Sequence, residues 1–122
     1  MAKIMIIDDS AADLRFMGNI LSASVHTVVS VNDPLSAEVQ AASERPDLIL
    51  LDVVMPERNG YEVLRALKKQ DETRETKVIF VSSKGNETDV KWGLRQGAVD
   101  YLIKPYTAEQ VMSLLDKHLV GA

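Results

Sequence analysis

The 122-residue chain contains no cysteine. Disulfides, thiolate metal sites and cysteine nucleophiles are therefore excluded, and the composition fits a reducing compartment. Aromatic residues make up only 5%, and there are just 4 prolines and 6 glycines. No low-complexity stretch or flexible linker is present. Positive charge is also in deficit. The formal net charge is -4 with no lysine/arginine stripe, which argues against a nucleic-acid backbone or an anionic membrane as partner. Long apolar runs are missing too. After Met1-Ala2-Lys3 only Ile4-Met5-Ile6-Ile7 precede Asp8, far too short for a signal peptide or a membrane span. The expectation is a cytoplasmic protein without membrane insertion.

What is present is an ordinary globular composition, 46% hydrophobic and 26% charged. That suits one domain with a real core. Short apolar segments and amphipathic ones alternate five times. Strands are expected at Lys3 to Ile7, His26 to Val31, Leu48 to Asp52, Lys77 to Ser82 and Val99 to Ile103. The runs Ile4 to Ile7, Leu48 to Leu51 and Tyr101 to Ile103, apolar throughout rather than alternating, suit strands covered on both faces. Between them stand helix start signals. Ser10 caps a segment with Asp13 at its third position and Leu14, Met17 and Leu21 on one face. Asp33-Pro34 is a cap followed by proline at the first helical position. Gly60 precedes the stripe Tyr61, Val63, Leu64 and Leu67. Asn86 caps a helix through Val90 and Leu94 to a terminal Gly97. Thr107 to Gln110 forms a capping box ahead of Val111, Leu114, Leu115 and Leu119. The fold class is α/β: a (βα)5, doubly wound, five-stranded parallel sheet with right-handed crossovers. Residues 1–122 are expected to form this single domain, with no output domain attached.

Asp8 and Asp9, Asp52, Ser82 and Lys104 each fall at the end of a predicted strand. Parallel strands carry such residues to one sheet edge, where open α/β sheets bind ligands. Taken singly, each has a bland role. Paired aspartates favour a helix N-terminus, Asp52 can close a turn, Ser82 can cap, and Lys104 can be solvated. Gathered, they cannot all be bland. Carboxylates about 5 Å apart repel by roughly 3 kcal/mol per pair at an effective dielectric of 20. Such a cluster must shift its pKa values or recruit a cation. Hard oxygen donors with room for water favour Mg²⁺, or Mn²⁺ in its place. Lys104 is placed to reach the cluster or an anion bound there, and Lys104-Pro105 is a candidate cis peptide bond. Tyr101 belongs either to the core or half-buried at the sheet edge. Trp92 either packs under the fourth helix or makes a surface contact. His26, opening a strand, and His118, near a helix end, are read as structural or solvated. Met55 to Gly60 reads as a structured loop.

The ordered set Ile7-Asp8-Asp9-Ser10, Leu51-Asp52-Val53-Val54-Met55-Pro56 with Asn59-Gly60, Ser82-Ser83, Gly97-Ala98 with Asp100-Tyr101-Leu102, and Lys104-Pro105 resembles the receiver domain of two-component response regulators. The resemblance covers nearly the whole chain, and among lone receivers it leans to the chemotaxis or twitching-motility type. It implies a flavodoxin-like strand order, 2-1-3-4-5, placing strands 1 and 3 together. It implies that Asp52 is the phosphoacceptor, loaded from the phosphohistidine of a histidine kinase or phosphotransfer domain. Asp8, Asp9, Asp52 and the Val54 carbonyl would form the metal site, with Asp8 acting mainly through water. Lys104 would pair with the phosphoryl group, Ser82 would hydrogen-bond it, and Tyr101 would rotate inward. An effector protein would dock on the face of helix 4, strand 5 and helix 5. The protein would be no enzyme beyond catalysing its own phosphorylation and dephosphorylation. A monomer is expected, with dimerisation on phosphorylation as the alternative. Val54 and Lys84 occupy positions that tune dephosphorylation, and an apolar Val54 implies slow self-hydrolysis.

Three other functions compete. A Mg²⁺-dependent phosphatase passing through an aspartyl phosphate needs a second carboxylate two residues after the nucleophile; Val54 stands there. A flavin or dinucleotide carrier needs glycines after strand 1, where this chain has Asp8-Asp9-Ser10-Ala11-Ala12-Asp13. An unphosphorylated binding module would not require the acid pair, Asp52 and Lys104.

Overall fold

The computed structural model describes residues 1–119. Val120, Gly121 and Ala122, on which the expected chain end rests, lie outside the described residues. Five strands, β1 (Lys3–Ile7), β2 (Thr27–Val31), β3 (Leu48–Asp52), β4 (Lys77–Ser82) and β5 (Asp100–Ile103), alternate with five helices. These are α1 (Ala11–Leu21), α2 (Ala37–Glu44), α3 (Gly60–Lys68), α4 (Glu87–Arg95) and α5 (Ala108–His118). The sheet is parallel throughout, in the order β2-β1-β3-β4-β5. It is the doubly wound, flavodoxin-like architecture, with winding reversing between β1 and β3.

The uninterrupted apolar strands supply two cores, one per face. Met5, Ile7, Ile49, Leu51, Val78 and Phe80 pack with Val63, Leu64 and Leu67 of α3 and Ala37 and Ala41 of α2. Ile4, Ile6, Leu48, Leu50, Ile79 and Val81 point the other way, onto Met17 and Leu21 of α1 and Val111 and Leu115 of α5. Alternate residues of one strand thus serve opposite layers, which is why no polar side chain interrupts the run.

The helix starts follow their caps. Ser10 accepts from the Asp13 amide at 3.2 Å, Asn86 accepts from Asp89 at 2.9 Å, and Thr107 forms a reciprocal box with Gln110. α3 opens with a further box, Asn59 with Glu62. Differences from the sequence reading are local. The Asp33-Pro34 signal opens a single 3-10 turn, Pro34–Ser36, before α2 begins. His26 and Val99 fall just outside their strands; the His26 ring instead accepts from the Ala2 amide at 3.0 Å. Leu94, expected on an apolar stripe, is exposed, because Gly93 is the α4 residue that turns inward. A Cβ on Gly93 would meet the Tyr101 ring at 3.0 Å. Trp92 lies on the surface at 49% exposure.

Candidate functional site

Strand register decides which side chains meet. Ile7 pairs with Leu51, so Asp8 and Asp52, one residue further on, face each other across the β1–β3 junction. Asp52 pairs with Val81 and Ser82 with Ile103, so Ser82 and Lys104 follow on the same edge. Asp8, Asp9 and Asp52 each bring a carboxylate oxygen within 4.8 Å of the other two. Asp8 and Asp52 are buried and Asp9 is exposed.

The Lys104 ammonium reaches into this group. Its Nζ lies 3.3 Å from Asp52 Oδ1, 3.4 Å from Asp8 Oδ2 and 2.9 Å from Asp13 Oδ2. Burial pushes the Asp52 carboxyl up to about 6, with the Asp8 charge adding to the rise against the opposing pull of Lys104. Burial likewise raises Asp8, although the Ser10 amide and Lys104 oppose it. For Lys104 burial acts against the charge, but the bond to Asp13 and the charges of Asp52 and Asp8 outweigh it and raise the pKa. One cation serves three acids. The cleft remains electrostatically short of positive charge.

The remaining expected residues surround it. Val54 lines the same cleft and is 56% exposed. Ser82 is buried, and its Oγ accepts from the Lys84 amide at 3.1 Å. Tyr101 is buried rather than half-exposed, and its hydroxyl donates to the Lys84 carbonyl at 2.7 Å. Ser82 and Tyr101 therefore share one loop, residues 83–86. The Lys104-Pro105 peptide bond is cis, and the Lys104 amide donates to the Ser82 carbonyl at 2.8 Å. The loop after Asp52 is held from two sides. Arg58 bonds Glu38 and the Pro34 carbonyl, and the Gly60 amide donates to the Val53 carbonyl at 2.8 Å. Gly60 admits no side chain, since a Cβ would sit 2.4 Å from the Asp52 backbone oxygen.

Asp13 is the residue that sequence reasoning missed. Its spacing places it in the first turn of α1, whereas its carboxylate is also the nearest partner of Lys104. The signal the sequence offers is its place in the first turn of α1, immediately past the acidic end of β1.

The donor set suits a hard divalent cation. Three carboxylates from two adjacent strand ends converge with one side open to water, as Mg²⁺ requires. The cleft volume is about 230 Å³, room for a small anion and waters but below the roughly 300 Å³ at which small-molecule pockets begin. No helix among the described residues is long and apolar enough to cross a membrane.

Comparison with known proteins agrees with this geometry. The chain is 39% identical to protein PilH of Pseudomonas aeruginosa, over 99% of its own length and 100% of PilH. It is 38% identical to response regulator PleD of Caulobacter vibrioides over 85% of this chain, but spans only 23% of PleD. The solved chemotaxis protein CheY4 of Vibrio cholerae superposes with a TM-score of 0.89 at 26% identity, covering 97% of this chain and 98% of CheY4. The sequence model of the response regulator receiver domain matches residues 4–116. With that match spanning nearly every element that builds the cleft, the chain belongs to the response regulator receiver domain family.

Proposed function

We propose that the protein is a receiver that accepts a phosphoryl group on Asp52 from a kinase or phosphotransfer-domain histidine. The observation that carries this reading is the convergence of Asp8, Asp52 and Lys104, with Nζ within 3.4 Å of both acids. Asp8, Asp9, Asp52 and the Val54 carbonyl would hold Mg²⁺ (or Mn²⁺), the donor types fitting it. Such a cation, when bound, neutralises charge on the phosphoryl oxygens.

The chain's own residues do the rest. An Asp52 oxygen forms the new O–P bond as the histidine N–P bond breaks, and the histidine nitrogen leaves with the electron pair. Asp52 reacts as the ionised carboxylate, held at the end of β3 where it lines the cleft. Lys104 binds an equatorial oxygen and Ser82 donates to another, so both are positioned by the end of the strand that carries them. A product of about -2 charge then pulls Ser82 and Lys104 together. The Tyr101 hydroxyl, bonded to the Lys84 carbonyl, links that pull to α4. The α4, β5 and α5 face is the effector surface, switched by population shift.

No separate substrate is turned over; Val54 supplies no acid or base for one. The exposed apolar Val54 orients no attacking water, so the phosphoaspartate is long-lived and Val54→Asn shortens its lifetime. Likeness to PilH and to a chemotaxis protein supports a role in chemotaxis or twitching motility; a cytoplasmic monomer, with dimerisation on phosphorylation as the alternative, completes the reading. The test is acetyl phosphate with Mg²⁺, followed by intact mass. One phosphoryl group is expected on the parent chain, and none on Asp52→Ala or without metal. Modification that persists in Asp52→Ala overturns the assignment.

A further inference from the structure

We infer that Asp13 is a positioning residue for Lys104: as the nearest of its three partners it loosens the ammonium's hold on the Asp8–Asp52 pair, so that a divalent cation competes for those carboxylates until an anion claims the lysine. This rests on the receiver reading above. Three acids compete for one ammonium, and the geometry ranks them. Nζ lies 2.9 Å from Asp13 but 3.3 Å and 3.4 Å from Asp52 and Asp8.

The competitors differ in solvation. The Asp13 side chain is 45% exposed, against 7% for Asp8 and 8% for Asp52. A solvated carboxylate loses little when its cation departs, because water replaces the contact. A buried one loses much more. Asp13 is therefore the partner that can release Lys104 at small cost. It is also held in place. Its amide donates to Ser10 Oγ, and the Ser10 amide donates to Asp8 Oδ1 at 2.9 Å, so the position of Asp13 is tied to the cleft itself. The lysine backbone is fixed by its bond to the Ser82 carbonyl, leaving the flexible four-carbon stem to swing.

Removing the Asp13 charge then has two effects of opposite sign. Lys104 moves onto Asp8 and Asp52 while one anion is lost from the rim, so a divalent cation binds less well. At saturating cation the lysine is no longer held aside, and the rim repels an anion less, so a phosphoryl-like anion binds better. A residue that merely caps α1 produces neither pattern, since loss of a first-turn charge weakens the helix and both affinities together.

The experiment is calorimetric titration of the parent protein, Asp13→Asn and Asp13→Glu, first with Mg²⁺ alone and then with beryllofluoride at saturating Mg²⁺. Asp13→Asn is expected to weaken Mg²⁺ by about three- to tenfold and to tighten beryllofluoride by a similar factor. Asp13→Glu, which keeps the charge, restores the parent values. Two unchanged affinities, or two that fall together, overturn the role of Asp13 while leaving the receiver reading intact. A parent chain that takes up neither Mg²⁺ nor a phosphoryl group from acetyl phosphate overturns both.

Discussion

The two ends of the sheet handle charge in opposite ways. At the N-terminal end Lys3, Lys77 and Asp100 each find partners that offset their charge or satisfy their hydrogen bonds. Lys3 bonds Glu44 at 3.1 Å, and Lys77 donates to the His118 carbonyl at 2.7 Å. Asp100 meets both His118 at 2.9 Å and Lys117 at 3.3 Å. Burial alone would raise the Asp100 carboxyl, but His118, the Tyr101 amide and Lys117 more than offset it, and the pKa falls. At the C-terminal end like charges are gathered, more deeply buried, and share one lysine, so Asp52 rises instead. The contrast shows where the fold spends stability on chemistry. Charge is compensated at the one end and left undercompensated at the other, where the proposed cation and phosphoryl group would bind.

The largest effect that sharpens this contrast concerns the backbone under the acids. Gly60→Ala places a Cβ against the Asp52 carbonyl oxygen at 2.4 Å and Val53 Cα at 3.0 Å, and backbone atoms do not yield as a flexible side chain does. A loss of about 3 kcal/mol is expected by urea denaturation. A loss below about 1 kcal/mol would show the loop to be soft.

Next is the single compensating cation. Lys104→Ala leaves Asp8 and Asp52 unpaired and is expected to cost about 2 kcal/mol in metal-free protein at neutral pH. Added Mg²⁺ should recover most of the loss. Equal loss with and without Mg²⁺ would mean that packing, not charge, is what Lys104 supplies.

Asp52→Asn should act in the other direction, stabilising metal-free protein on the order of 2 kcal/mol at pH 7. The folded chain holds the Asp52 proton up to about pH 6, whereas the unfolded chain releases it near pH 4. Between those values the folded state binds more protons, so its stability falls as pH rises. Melting curves from pH 4 to pH 7 should show that decline in the parent and a shallower one in Asp52→Asn, where the raised Asp8 still contributes. Parallel curves would contradict it.

The smallest effect is expected at the opposite end. Glu44→Ala removes a solvated pair with Lys3, 36% and 41% exposed, and should cost less than about 0.5 kcal/mol with no dependence on Mg²⁺. A larger, Mg²⁺-sensitive loss would erase the distinction between the two ends.

Much of this was legible residue by residue. Caps at Ser10, Asn86 and Thr107 are local devices, each a side chain serving an amide three residues away, so sequence spacing reveals them. β1, β3 and β4 announced themselves because both their faces are covered. Leu94 is exposed against expectation because α4 presents Gly93 inward, and a glycine leaves no hydrophobic mark in a periodic pattern; of the two readings open for Trp92, the surface one holds. Asp13 was hidden for a different reason. Its backbone role as a first-turn residue and its side-chain role beside Lys104 coexist, and only the first is local.

Element type and order came from the chain alone: apolar runs, helix caps, and acids or a lysine at the strand ends. Those are interactions between near neighbours, encoded in periods of two and of three to four residues. The meeting of Asp8 with Lys104, 96 positions apart, and of Asp52 with Lys104, 52 apart, was decided by strand order and register. Shifting one strand by a single residue would turn its terminal side chain to the opposite face of the sheet. Whether these residues form a site therefore depended on packing between elements, which no local pattern specifies.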